Sequence, residues 1–175
     1  MKVYFLDAYT TNPGDLSFDA FHSLGDFIAY ERTELHELSD RAGDADIIIV
    51  NKFPVNDESL RLMPKVKYIC VAATGYNNVD LPATKNRNIQ VSNVSGYSSP
   101  SVAQHVFASL LAFFNRSEYY FSEVSKGRWA KTPDFCFYDH KIEDLQGKTF
   151  GIVGYGNIGR QVASIALAFG MKVII

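Results

Sequence analysis

Four consecutive β-branched residues, Ile47-Ile48-Ile49-Val50, constrain the fold more than any other feature of the chain. Side chains of a strand alternate between two faces, so a strand that is apolar at every position has to be buried on both. A parallel sheet covered by helices on either side meets that condition. The surrounding sequence agrees with it. Short apolar runs at Lys2–Leu6, Phe27–Tyr30, Asp46–Val50, Lys67–Val71 and Ile89–Ser92 alternate with helically spaced segments at Phe18–Leu24, Glu34–Ala42, Asp57–Leu62 and Leu81–Asn86. Connections are short and turn-like, as at Asn12-Pro13-Gly14. This β-α-β rhythm predicts an α/β fold with an open, doubly wound parallel sheet.

From Ser99 the character changes. Ser101 followed by Gln104 has the spacing of a capping box. No glycine or proline then interrupts until Gly127, so one helix is expected from Pro100 to Ser125, ~39 Å long at 1.5 Å per residue. Val102, Val106, Phe107, Leu110, Leu111, Phe113 and Phe114 make it apolar nearly all round, which suits an element packed in a domain or subunit interface. A loop is expected over Gly127–Gln146, then a strand over Thr149–Val153. A helix over Asn157–Phe169 with Gly170 as its C-cap and a last strand over Lys172–Ile175 complete the pattern. A single β-α-β start cannot cover both faces of a sheet, so the chain is expected to be a fragment that stops inside a second domain.

That second β-α-β carries Gly154-Tyr-Gly156-Asn-Ile-Gly159 between its strand and its helix. In a dinucleotide-binding turn, Gly154 permits the tight exit from the strand. Gly156 lets the backbone approach a pyrophosphate, and Gly159 lets the helix pack closely on the strand. The amides of Asn157 and Ile158 would then meet the phosphates at a helix N-terminus, where the dipole and unpaired donors favour an anion. The competing reading is a glycine turn that only packs a helix on a sheet. An acidic residue that binds the ribose 2′-hydroxyl belongs about 20 residues further on, at or beyond Ile175, so NAD and NADP both stay open.

The loop Ala72-Ala73-Thr74-Gly75-Tyr76-Asn77-Asn78-Val79-Asp80 leaves a buried strand at its carboxyl end, where open α/β sheets bind ligands. Its small residues leave backbone amides free to form an anion nest, and Asn77, Asn78 and Asp80 can start a helix by capping. Plain Asx turns would explain the same residues.

Composition narrows the class. The 175 residues carry a net charge of −2, which gives no attraction to nucleic acid or an anionic membrane. No apolar run approaches the ~20 residues of a bilayer span. Two scattered cysteines, Cys70 within an apolar run and Cys136, suit a reducing cytoplasm and form neither a disulfide framework nor a metal site. His140 near Asp134 and Asp139 lacks convincing ligand spacing, so no metal is expected. His105 reads as a core or interface histidine, and His22 and His36 as surface residues.

Taken together, three blocks resemble the D-isomer-specific 2-hydroxyacid dehydrogenase family, in its order and spacing. Ala73–Asp80 resembles its substrate loop. Val91–His105, with Gly96-Tyr97 and Val102-Ala103-Gln104-His105, resembles its hinge and interdomain helix in the glycerate dehydrogenase (hydroxypyruvate reductase) branch. Gly127-Arg128-Trp129 followed by Leu145, Gly147, Lys148 and Thr149 resembles the approach to its cofactor turn. The resemblance implies a flavodoxin-like substrate domain over residues 1–97, followed at 98–175 by the interdomain helix and the truncated start of a Rossmann NAD(P)-binding domain. It implies hydride transfer between NAD or NADP and a small 2-oxo or 2-hydroxy acid, the branch pointing to hydroxypyruvate and D-glycerate. The family's catalytic Arg, Glu and His fall downstream of position 175 in its pattern, so no residue here takes those roles and the fragment alone is expected to be inactive.

Carried over residue by residue, Thr74 matches a contact to the cofactor near its nicotinamide. The Thr74-Gly75-Tyr76 backbone matches the cradle for the substrate carboxylate, and Gly154, Gly156, Asn157, Ile158 and Gly159 match the pyrophosphate site. Asn77 and Gln104 stand where Asp and Glu are more usual, which removes two charges and keeps the hydrogen bonding. Lys52 follows the buried strand at its carboxyl edge and is a further candidate for the substrate carboxylate, against the plainer reading of a solvated lysine. The expected location is the cytoplasm, and the expected assembly a homodimer through the Pro100–Ser125 helix. A different class of function, an NAD(H)-sensing corepressor-like protein of the same fold, would need a peptide groove that the sequence does not signal.

Overall fold

The structure is a computed structural model that describes residues 1–175. It separates into two compact units, Met1–Ser95 and Gly96–Ile175.

The first unit is built on strands β1 (Lys2–Phe5), β2 (Asp26–Ala29), β3 (Ile47–Val50), β4 (Tyr68–Val71) and β5 (Gln90–Asn93). All are parallel, in the order β2-β1-β3-β4-β5, with Val3 opposite Ile47 and Ile47 opposite Tyr68. This is the flavodoxin-like order, whose direction of winding reverses between β1 and β3. The run Ile47–Val50 is thus the central strand, and the two-faced burial follows from strand alternation. Tyr4, Leu6, Ile48, Val50, Ile69 and Val71 enter one core, whereas Val3, Phe5, Ile47, Ile49, Cys70 and Ala72 enter the other. Burial at that second core pushes the half-buried Cys70 thiol up from its ordinary range.

Four helices join the strands: α1 (Asp19–His22), α2 (Leu38–Ala42), α3 (Asp57–Leu62) and α4 (Leu81–Asn86). Two of them start where side chains cap them. Asn56 accepts from the Ser59 amide at 3.0 Å, and Asp80 accepts from the Ala83 amide at 2.9 Å, with Pro82 in the first turn. The expected helix over Glu34–Ala42 is instead a 3-10 turn, Leu35–Glu37, leading into α2. Reciprocal bonds between Glu34 and Glu37 tighten that first turn.

The second unit holds α5 (Ser99–Asn115), α6 (Ser117–Ser125), α7 (Arg128–Lys131), β6 (Thr149–Gly151), α8 (Asn157–Ala168) and β7 (Lys172–Ile174). The single helix expected over Pro100–Ser125 is broken at Arg116, which takes a left-handed conformation with φ +50°. The break lets the two halves meet different partners. Phe107 on α5 stacks on Phe150 and Phe169, while Tyr119 and Tyr120 on α6 pack on His140 and Phe137. The helix also starts earlier than the expected cap: Pro100 lies in its first turn, and neither Ser101 nor Gln104 makes a capping box. A short helix, α7, interrupts the expected loop. Its Arg128 binds both oxygens of Asp139 and also Glu123.

β6 and β7 pair in parallel, Phe150 opposite Val173, and α8 buries Val162, Ala163 and Ala166 against α5 and the strands. Gly170 ends α8 at φ +70°, as its C-cap role requires. No helix in the chain is long and apolar enough to cross a membrane.

Candidate functional site

In the second unit, the three glycines of the turn differ in what a side chain would meet. Gly154 has φ +98°, which L-residues rarely adopt. Gly159 is the close approach: a Cβ there would lie 2.2 Å from the Gly154 carbonyl oxygen. Gly156 has ordinary extended backbone, φ −80° and ψ −159°, and a Cβ there would meet nothing within 4 Å. Neither strain nor packing therefore requires glycine at 156. An open approach to the helix end does explain it.

That helix end suits an anion. No side chain caps α8, and its first turn contains no acidic residue, so its dipole and first amides are not offset locally. Arg160, which the sequence reading passed over, donates from Nε to the Tyr155 carbonyl at 3.3 Å and adds a positive charge beside the turn. A side chain added at Gly96 would begin 3.9 Å from the Asn157 side-chain amide. A diphosphate fits this cradle.

In the first unit, Lys52 and Thr74–Tyr76 follow the carboxyl ends of the adjacent strands β3 and β4. Their loops are stitched together. The Val55 amide donates to the Asn78 carbonyl and the Asp80 amide to the Val55 carbonyl, both at 2.8 Å, while Asn78 Nδ2 donates to the Phe53 carbonyl at 3.0 Å. β5 braces the far side: Asn93 Nδ2 donates to the Thr74 carbonyl, and the Thr74 hydroxyl donates to the Val94 carbonyl. On the near side, the Asp7 carboxylate accepts from the amides of Asn51, Lys52 and Phe53.

Held in this way, Thr74, Gly75 and Tyr76 are exposed residues whose amides donate to no group of the protein. Three adjacent unpaired donors on a fixed loop can bind a carboxylate. Lys52 is exposed and makes no ion pair. Of the three expected capping residues only Asp80 caps a helix; Asn78 ties the two loops instead. Asn78 was expected only as a cap, and Asp7 and Asn93 were not singled out from sequence, because the partners of the three lie 25, 44–46 and 19 residues away. The one available signal for Asp7 and Asn93 was their place just after or at a strand end.

Other candidates are not brought to either place. His105 is exposed on α5 rather than in a core, and His22 and His36 are exposed. Asp139, beside His140, gives both oxygens to Arg128, and no group of three or more His, Cys, Asp or Glu is placed to hold a metal ion.

Comparison with known proteins points the same way. Residues 9–137 match the family described as D-isomer specific 2-hydroxyacid dehydrogenase, catalytic domain, and residues 107–175 match its NAD binding domain. Hydroxypyruvate reductase of Blautia hydrogenotrophica is 41% identical over 99% of this chain and 55% of its own length. Glycerate dehydrogenase of Methylorubrum extorquens is 36% identical over 99% of the chain and 54% of its length. Among solved structures, an acyclic imino acid reductase in complex with NADPH and D-Arg matches with a TM-score of 0.78 at 31% identity, over 99% of this chain and 55% of that one. The chain spans about half the length of the curated relatives it matches.

Proposed function

Since the chain belongs to the D-isomer specific 2-hydroxyacid dehydrogenase family, we propose that the whole protein is an NAD- or NADP-dependent oxidoreductase of a small 2-oxo acid, hydroxypyruvate or glyoxylate being the first to try. The observation that carries this reading is the glycine turn, where position 156 is open and α8 is uncapped. Amides of Asn157 and Ile158 bind the diphosphate there, with Gly154 and Gly159 setting the turn. When bound, the nicotinamide supplies the hydride that reduces C2 of the acid.

The chain's own residues serve binding and orientation. The free amides of Thr74, Gly75 and Tyr76 hold the substrate carboxylate, with Lys52 adding a positive charge. Thr74 also meets the cofactor near its nicotinamide, its hydroxyl orientation fixed by the bond to Val94. No proton transfer is assigned to a residue among 1–175. The two domains are taken as residues 1–97 and 98–175.

We propose a homodimer, formed through the exposed Phe113 on α5 and Phe121 and Val124 on α6, in place of one continuous helix. Two free cysteines fit a reducing cytoplasm. The corepressor-like alternative is not carried forward, because the relatives named are reductases and dehydrogenases.

The test is the oxidation of NADH or NADPH by the whole protein, followed by absorbance with a panel of 2-oxo acids. Turnover that depends on the added acid is expected. Coenzyme binding with no turnover of any 2-oxo acid would overturn the reading.

A further inference from the structure

The winding of the first sheet reverses between β1 and β3, and at such a point the two connections leave on opposite faces and open a crevice at the carboxyl ends. Ligand anions occupy such crevices in other open α/β sheets. Here a side chain of the chain itself lies there. Asp7, just after β1, accepts from the Asn51 amide at 2.7 Å through Oδ1, and from the Lys52 and Phe53 amides at 2.5 and 2.7 Å through Oδ2. Asn51, itself buried, adds a second tie from Nδ2 to the Thr10 hydroxyl at 2.6 Å.

Three consecutive amides converging on one anion make a nest, and bonds to a charged acceptor are about twice as strong as neutral ones. The carboxylate uses both oxygens on backbone and makes no ion pair with Lys52. Lys52 is therefore fixed at its backbone while its ammonium stays free. The fixation passes on through Asn78 Nδ2, which donates to the Phe53 carbonyl from the loop that carries Thr74–Tyr76.

We propose that Asp7 is a positioning residue: a built-in anion that fills the switch-point nest, fixes the Asn51–Phe53 backbone, and so places Lys52 for the substrate carboxylate. This rests on the substrate role of Lys52 given above. It adds that the crevice between β1 and β3 is closed to outside anions.

The test compares Asp7→Ala, Asp7→Asn and Lys52→Ala in the whole protein. In Asp7→Ala, hydrogen exchange at the amides of Asn51, Lys52 and Phe53 should quicken about tenfold or more, as expected for loss of charge-assisted bonds. KM for the oxo acid should rise about tenfold with kcat within about twofold, the pattern of lost binding rather than lost chemistry. The double variant Asp7→Ala/Lys52→Ala should be no worse than Lys52→Ala, because both remove the same interaction. Acetate, which can enter the emptied nest, should lower the KM of Asp7→Ala and leave that of Lys52→Ala unchanged. Asp7→Asn keeps one acceptor and should fall between wild type and Asp7→Ala, which guards against a variant that merely fails to fold. Unchanged amide exchange, or additive effects of the two substitutions, would overturn the positioning role. An unchanged KM in Lys52→Ala would instead overturn the substrate role on which it rests.

Discussion

Asn93 holds the backbone of Thr74, its Nδ2 donating to the Thr74 carbonyl at 2.7 Å, and the Thr74 hydroxyl donates in turn to the carbonyl of the next residue, Val94, at 3.0 Å. The loop that presents the three free amides is thus braced from the end of β5. Asn93→Ala removes one brace. It should lower stability by about 1 kcal/mol, the usual net worth of one hydrogen bond. KM for the oxo acid should rise severalfold, with coenzyme affinity unchanged. Chemical denaturation and steady-state kinetics check the two halves separately.

Gly159 and Gly154 should be intolerant of alanine for different reasons. At 159 a Cβ meets a backbone oxygen at 2.2 Å, so α8 must move off the strand, an overpacking cost of about 1–3 kcal/mol. At 154 the cost is conformational, about 1–3 kcal/mol for a side chain at φ +98°. Thermal melts of both variants should show losses of this size, whether or not coenzyme is present.

The Arg128–Asp139 pair makes a prediction at acid pH. Hydrogen bonds first from Arg128 and then from Tyr119 hold the Asp139 carboxyl down at about 2, below its ordinary range. A carboxyl depressed in the folded state contributes its stabilisation fully above its unfolded value of about 4 and loses it as pH falls through the folded value. The packing of Tyr119, Tyr120 and His140 should therefore hold from neutral pH to about pH 4 and loosen between about pH 4 and 2. Glu123 is likewise held below its ordinary range, by Lys126 first and then by Arg128. Asp139→Asn should already be loosened at neutral pH and should lose less than wild type on acidification. Near-ultraviolet circular dichroism of these aromatic rings reports the change.

Much of the first unit was readable because its signals are local. Four adjacent β-branched residues identified the central strand, and α3 and α4 begin where Asn56 and Asp80 cap them, so their expected ranges match. The long helix was misjudged because its break uses no glycine or proline. Arg116 turns left-handed to let α5 and α6 follow different packing partners, a tertiary demand with no local signature. The glycine turn and the separate roles of its three glycines were legible as a motif, and the structure adds that Gly156 is neither strained nor crowded. The bracing roles of Asp7, Asn78 and Asn93 at the carboxyl edge were not legible, Asn78 reading only as a cap, because each is defined by a partner far away in sequence.

Gly156→Ala separates folding from binding, because the added methyl meets no protein atom and the backbone there is one alanine adopts. The decisive measurement is a calorimetric titration of the whole protein and of this variant with NADH and with NADPH, alongside a thermal melt. Wild type should bind at least one coenzyme, and the variant should bind it about tenfold more weakly, a loss of about 1.4 kcal/mol. Its stability should stay within about 0.5 kcal/mol of wild type. Equal affinity in the two proteins, or no heat from wild type with either coenzyme at about millimolar concentration, would contradict a diphosphate seated at the start of α8.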